Sequence, residues 1–286
     1  MQTKKLVFNS DDFGYSEAFN LGIKKGYLSG ILTSTCLLAN GEAFDAAMNE
    51  ILPEIKDIGL GAHLNIIEGK SLTNGNLLCD SNSNFKNDFV AILSNSYNKK
   101  FLEQVEAEFR AQIEKILEHT QIDHLNSHVH VHAIPEIFKI TCKLAEEYGI
   151  KYIRTQHEVP YVVPSLLKHF SVKYPVNLIK FSLLNGFSLM NTRTIKKYNL
   201  KTNNYALGIT YTGYMDEKTI KYGLQAIQSD DCICEILIHP CYFKSDNIEK
   251  PFNYGEYLIT QSATIKDEIK KMGWVFTNYK KLSQES

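Results

Sequence analysis

The chain has 286 residues, 44% hydrophobic and 22% charged, enough apolar content for a sizeable core in one large α/β domain or two small ones. Its formal net charge of −1 supplies no basic field for nucleic acid, and the pairs Lys196-Lys197 and Lys280-Lys281 read as solvated surface. No stretch reaches about 18 uninterrupted apolar residues, so no transmembrane segment is expected. The first residues lack a signal peptide's apolar segment, and six cysteines without a Cys-x-x-Cys pair fit reduced thiols. A cytoplasmic protein is the expectation.

In chain order, Leu6-Val7-Phe8 predicts a first strand ending at Asn9. A helix follows with Ser16 as N-cap, Phe19, Ile23 and Tyr27 on one face, and Gly30 to terminate it. Residues 31–38 read as a second strand and 42–52 as a helix that Pro53 helps to end. Residues 58–64 read as a third strand, whose Gly59 and Gly61 suggest close backbone approach. Residues 67–100 are rich in Asn, Ser and Gly and predict a long loop after strand three. Residues 101–119 are strongly amphipathic, with Leu102, Val105, Phe109, Ile113, Ile116 and Leu117 on one side.

A strand over 122–131, a helix over 135–148 with Pro135 in its first turn, and a short strand over 151–154 come next. Residues 156–205 mix helical and irregular patterns. Beyond them stand a strand at 205–211, a helix at 218–228, a buried strand at 233–238, a helix at 260–272 and a last strand at 274–276. Alternating strands and helices imply parallel pairing, and seven or eight strands favour a (β/α) barrel over a doubly wound sheet.

Several polar residues fall at the C-terminal ends of these strands, the edge on which a β/α barrel builds its site. Asp11 and Asp12 follow strand one, His63 closes strand three, His128, His130 and His132 close strand four, and Arg154 and His239 close later strands. In an extended strand the three alternate histidines share one face, but the outer two stand about 13 Å apart. They cannot all ligate one metal unless the chain bends, so a metal site has to recruit Asp11, Asp12 or His63. The bland alternatives are a polar strand face for the histidines and an Asx-turn or helix cap for the aspartates. Asp12-Phe13-Gly14 has no glycine-rich phosphate loop beside it, which sets aside a kinase reading. Mixed Asp/His ligation suits a divalent ion such as zinc. With a neighbouring carboxylate as base and a histidine as acid, such a site is suited to amide hydrolysis.

The motifs Asn9-x-Asp11-Asp12-Phe13-Gly14, Gly30-Ile-Leu-Thr-Ser34, Leu38-Ala-Asn40, Gly59-x-Gly61-x-His63-Leu-Asn65, His124-Leu-x-Ser127-His128-x-His130-Val-His132 and Glu235-x-x-x-His239-Pro240 occur in that order. Together they resemble the YdjC-like carbohydrate deacetylases. The resemblance implies a single domain over residues 1–286, an α/β fold with a distorted (β/α) barrel, and metal-dependent removal of the acetyl group from an N-acetylated sugar. By position it implies that Asp12, His63 and His128 hold one divalent ion, zinc or magnesium, with Asp11 as general base and His239 as general acid. It further implies that Asn40, Asn65, His130, His132, Arg154 and Glu235 orient these groups or contact substrate. A homodimer is compatible with it. The rival readings are another barrel metallohydrolase, amidohydrolase-like or phosphoester-cleaving, and a non-catalytic sugar-binding relative. Ser10, Asn126 and Cys241 depart from the family's usual Ala, Asp and Gly or Ala. Tyr161, Phe170, Phe181 and Phe187 in the middle segment either line an acceptor site or belong to the core.

Overall fold

β1, Lys4–Phe13, organises the sheet because it is buried from Leu6 onward and has neighbours along both edges. On one edge β7, Cys232–Ile238, accompanies it from Lys4 to Ser10. The other edge is divided between β8, Trp274–Thr277, which takes Lys4 to Val7, and β2, Ser34–Leu37, which takes Asn9 to Phe13. The computed structural model describes residues 3–164, 174–244 and 249–285. In it the sheet continues from β2 through β3, Gly59–Leu64, β4, His124–Ser127, and β5, Tyr152–Ile153, while β6, Tyr205–Leu207, lies beyond β7. All of these pairings are parallel.

The α/β fold is thus a curled parallel sheet, the expected distorted (β/α) barrel, with partial closure. Between β5 and β6 the ladder gives way to irregular pairing. Lys201 exchanges main-chain bonds with Lys151 and Ile153. The Asn203 amide then accepts the Thr155 N–H at 2.8 Å and donates to the Thr155 carbonyl at 2.9 Å, as a neighbouring strand would.

The helices are α1, Glu17–Leu28; α2, Phe44–Ala46, which widens into a π-turn at Ala47–Ile51; α3, Phe89–Asn95; α4, Lys99–Leu117; and α5, Pro135–Glu147. They continue with α6, Tyr174–Lys197; α7, Glu217–Ala226; α8, Pro251–Thr260; α9, Ala263–Lys271; and α10, Tyr279–Gln284. One apolar core lies under α4 and α5 against β2–β5, and a second under α7 and α9 against β6–β8. On α4 the buried Phe101, Val105, Phe109, Ile113 and Ile116 each contribute about 1.5–3 kcal/mol.

Three readings of the chain change. The region expected as one loop over 67–100 contains α3, capped by the Asp88 carboxylate on the Ala91 N–H at 2.8 Å. The helix expected at 260–272 is α9, Ala263–Lys271, but a further helix the chain did not announce, α8, Pro251–Thr260, precedes it. The unresolved pattern of 156–205 hides α6, whose buried face is partly polar: Asn191 donates to the Ala133 carbonyl and Ser188 accepts from the Gln156 N–H. Polar residues that knit loops together blur the 3.6-residue signal. Phe181 and Phe187 pack on the first core and Tyr161 on the second. Phe170 and His169 lie outside the described residues.

The remaining loop is held by α4. Buried Glu108 accepts from the Ser71 and Thr73 hydroxyls and from the N–H groups of Leu72 and Thr73, while Gln112 brackets the main chain of Asn65. Glu108→Ala strands these donors. It should lower stability by about 3 kcal/mol in urea denaturation; a loss below about 1 kcal/mol would contradict this account of the loop.

Candidate active site

Five strand ends set the site, those of β1, β3, β4, β5 and β7. The register of β1 against β2 shifts between Ser10 and Phe13, and Asp12 takes φ +67°. Such a bulge re-aims side chains. Asp11 and Asp12, adjacent in sequence, therefore turn to different partners. β4 ends at Ser127, earlier than the sequence predicts, and His128–Ala133 winds into a tight 3-10 segment with Val129 at φ +51° and His130 at φ +59°. The alternate-face geometry of an extended histidine run does not apply. The chain bends, yet the bend brings only His128 to the aspartates.

The Asp12 carboxylate lies 3.3 Å from His63 Nε2 and 3.0 Å from His128 Nδ1. One ligand atom from each of these three residues falls within 4.8 Å of the other two. This oxygen–nitrogen–nitrogen set fits a divalent metal ion. Burial alone would raise the Asp12 pKa, but the His128 imidazolium beside it brings it well below the usual carboxylate range. Burial would lower that of His128, yet Asp12 and then Glu68 push it up to about 10. The pocket therefore favours positive charge. Glu68 reaches to 3.7 Å from His128 Nε2 and accepts from the Tyr15 hydroxyl at 3.1 Å. A second trio, Asp11, Cys36 and His63, is equally close. Its donors are already engaged, Asp11 by Arg154 and Cys36 by Asn126.

Arg154, fully buried just after β5, grips Asp11 with two bonds of 2.7 and 2.6 Å. Its Nε and Nη2 also donate to one oxygen of Glu235 at 2.8 and 2.6 Å, and the Tyr279 hydroxyl donates to the other at 2.5 Å. Asp11 Oδ1 accepts in addition from Asn9 and Asn126, whereas among the described residues Oδ2 accepts from Arg154 alone. Burial opposes ionisation of Asp11, but the guanidinium outweighs it and holds the carboxyl far below its ordinary range.

His239, directly after β7, faces Glu256 of α8 at 3.4 Å, and Glu256 also accepts the His239 N–H at 2.5 Å. Gly22 of α1 makes room for this turn: a Cβ there would stand 2.3 Å from the Pro240 carbonyl oxygen. Burial would lower the His239 pKa, yet Glu256 and the two aspartates push it up to about 9. Nearby Cys241 is buried, and its thiol is pushed up to about 12 by that burial.

The other expected residues divide by role. Asn40 and Asn65 spend their amides on each other and on the main chain of residues 67–70, so they carry Glu68 to the site. His132 is locked between the Ser127 hydroxyl, the Arg154 carbonyl and Gln156, away from the donor cluster. His130 keeps a buried Nδ1 with no hydrogen-bond partner among the described residues. Glu256, Glu68 and Tyr15 were not singled out by the sequence reading. Glu68 had the one available signal, five residues past His63 at the start of the loop.

Three comparisons bear on this site. The family model described as YdjC-like protein matches residues 5–271. Carbohydrate deacetylase 1 of Listeria innocua is 35% identical over 216 residues, 74% of this chain and 83% of that one. Carbohydrate deacetylase of Clostridium beijerinckii is 31% identical over 222 residues, 76% and 84% of the two chains. In structure, a cellobiose-phosphate cleavage protein candidate of Enterococcus faecalis V583 superposes with TM-score 0.74 at 23% identity, over 98% of this chain and 99% of that one.

Arg154→Met would leave Asp11 and Glu235 as buried charges without their cation, and should cost about 3–5 kcal/mol at pH 7. In the wild type the depressed Asp11 pKa contributes stability above about pH 4, which is lost as pH falls further. In the variant burial raises that pKa instead, so its deficit should shrink between pH 7 and pH 5. Denaturant titrations at the two pH values check this; a constant deficit would contradict it.

Proposed function

From the chain's membership of the YdjC-like family, we propose that it is a metal-dependent hydrolase that removes the acetyl group from an N-acetylated sugar. The observation that carries this reading is the convergence of Asp12, His63 and His128 on one point, beside a clamped carboxylate and a histidine–carboxylate pair. A divalent ion held by those three residues would polarise the acetamide carbonyl and lower the pKa of the attacking water, which is the proton source so weak a base as Asp11 requires. Zinc suits the donor set and magnesium is the alternative.

Asp11 takes the water proton at Oδ2, the oxygen with fewer hydrogen bonds, and Arg154 keeps that oxygen aimed. His239, charged below about pH 9, then delivers a proton to the nitrogen as the C–N bond breaks, so that acetate and a free amine leave. Glu256 holds the imidazole in place for this. A cavity of about 190 Å³ lined by Tyr15, Ser16, Asn40, Glu42, Asn65 and Glu68 adjoins His128 and receives the sugar, with the two glutamates as acceptors for its hydroxyl groups. Engagement of the inner trio by Arg154 and Asn126 favours one ion per chain over a two-metal phosphoesterase.

Metal analysis should find one ion per chain in the wild type. His63→Ala and His128→Ala should lose both ion and acetate release, whereas Asp11→Asn should keep the ion and lose roughly 10²–10⁴-fold in turnover. Full metal content in both histidine variants would sink the ligand assignment.

The pH profile tests the acid. Because His239 must carry a proton, activity falls as pH rises through its pKa. Glu256→Gln removes the charge that raises this value, so the alkaline limb should move from about pH 9 toward about 6.5. An unmoved limb would exclude His239 as the acid.

A further inference from the structure

A buried hydrogen-bond relay runs through the barrel beneath the donor cluster, built from residues with no part in the chemistry above. It begins at Asp123, beside a cavity on the N-terminal face lined by Lys56, Leu60, His119 and Lys280. One Asp123 oxygen accepts the Leu60 N–H at 3.0 Å, and the other meets His124 Nδ1 at 2.5 Å. His124 Nε2 lies 3.1 Å from the Cys36 sulfur, and Cys36 accepts from the Asn126 amide at 2.7 Å. Asn126 Oδ1 meets His63 Nδ1 at 2.6 Å. His63 Nε2, the far nitrogen of that ring, faces Asp12.

Strand register puts these groups in line. Cys36 of β2, Gly61 of β3 and His124 of β4 are lateral neighbours, and His63 pairs with Asn126 one step further up. Gly61 lets the bond between Cys36 and His124 pass over β3, since a Cβ there would lie 2.5 Å from His124 Nε2. His124, Asn126, Cys36 and His63 are all buried at 2% exposure or less.

The donor directions follow from the ends. The Asp123 carboxylate can only accept, so His124 carries its proton on Nδ1. That leaves Nε2 to accept from the Cys36 S–H at 3.1 Å, a shorter contact than the other acceptor of that thiol, Asn9 Oδ1 at 3.5 Å. Burial pushes the Cys36 thiol well up, which keeps that hydrogen in place. The Asn126 amide is oriented independently, because its NH₂ side meets two acceptors, Cys36 at 2.7 Å and Asp11 at 3.3 Å. Its oxygen therefore faces His63 Nδ1, which must donate.

We infer that the Asp123–His124–Cys36–Asn126 relay is a positioning device that holds neutral His63 in its Nδ1–H tautomer and presents the Nε2 lone pair to the metal site. In most metal sites one carboxylate or carbonyl does this for a ligating histidine. Here an amide does it, and the amide is oriented by a thiol–imidazole–carboxylate chain about two strand layers deep. The inference rests on the metal assignment above for its purpose and on geometry alone for the tautomer.

The test is long-range ¹H–¹⁵N spectroscopy of the metal-free, histidine-labelled protein at alkaline pH, with zinc affinity measured in parallel. His63 and His124 should both show a protonated Nδ1 and an unprotonated Nε2. Asn126→Leu should mix the His63 tautomers and weaken zinc binding by about 10–100-fold. Cys36→Val should move both readouts in the same direction by less, and Cys36→Ser, whose hydroxyl also donates and accepts, should restore the tautomer. A merely structural role would shift the melting temperature and leave the His63 nitrogen signals unchanged. Wild-type His63 protonated on Nε2, or present as an even mixture, overturns the inference without recourse to any variant. Unchanged zinc affinity in Asn126→Leu overturns it as well. Failure of the wild type to bind zinc, magnesium or another divalent ion would strike the functional reading instead, and the tautomer measurement separates the two.

Discussion

A buried guanidinium is the constraint on which the rest of the site depends. Arg154 joins β5 to β1 and β7 through Asp11 and Glu235, with both carboxylates and the cation sealed from solvent. An unpaired charge at that depth would cost several kcal/mol, so each member holds the others in place. The cluster carries two anions against one cation, and the Tyr279 hydroxyl and the Asn9 and Asn126 amides supply the remaining hydrogen bonds. With Asp11 fixed in this way, Asp12 has one direction left to it. The left-handed turn at Asp12 sends its carboxylate to the two histidines.

Backbone strain gathers at the same rim. Asp12, Val129 and His130 all hold positive φ, at a cost of about 1–3 kcal/mol for each such residue. A β-branched valine is especially disfavoured there. The segment is kept in shape by the Ser127 hydroxyl, which bonds both the main chain and the ring of His132. His130, in the middle of it, leaves a buried nitrogen without a partner among the described residues. Strain and an unpaired polar atom in one short segment are features of a site rather than of packing.

The loop after β3 follows the same logic on the outside of the barrel. It has little apolar content of its own, so it is folded by side chains reaching into its main chain: Glu108 and Gln112 from α4, and Asn40 and Asn65 from the strand ends. Its ordered course delivers Glu68 to His128 and Tyr15. A stretch with no periodicity thus becomes a wall of the candidate site.

Much of this was legible along the chain. Short β-branched runs closed by polar residues marked the strand ends, and a polar residue after a buried run in a parallel barrel can only sit at the rim, which placed Asp11, Asp12, His63, Arg154 and His239 together. The motif order pointed to the family. What the chain could not reveal were the turn at His128–Ala133 and the partners of the site residues. Nothing in a run of alternating His and Val encodes left-handed backbone; the turn ends at a His132 ring held by Ser127 and, from beyond β5, by Arg154 and Gln156. Glu256, on a helix whose signal was missed, and the relay through Cys36 and His124 join residues 17 and 88 positions apart. Local propensity acts over a few neighbours and determined the elements. Strand register and the curl of the sheet act across the whole chain, and they alone decided which side chains meet.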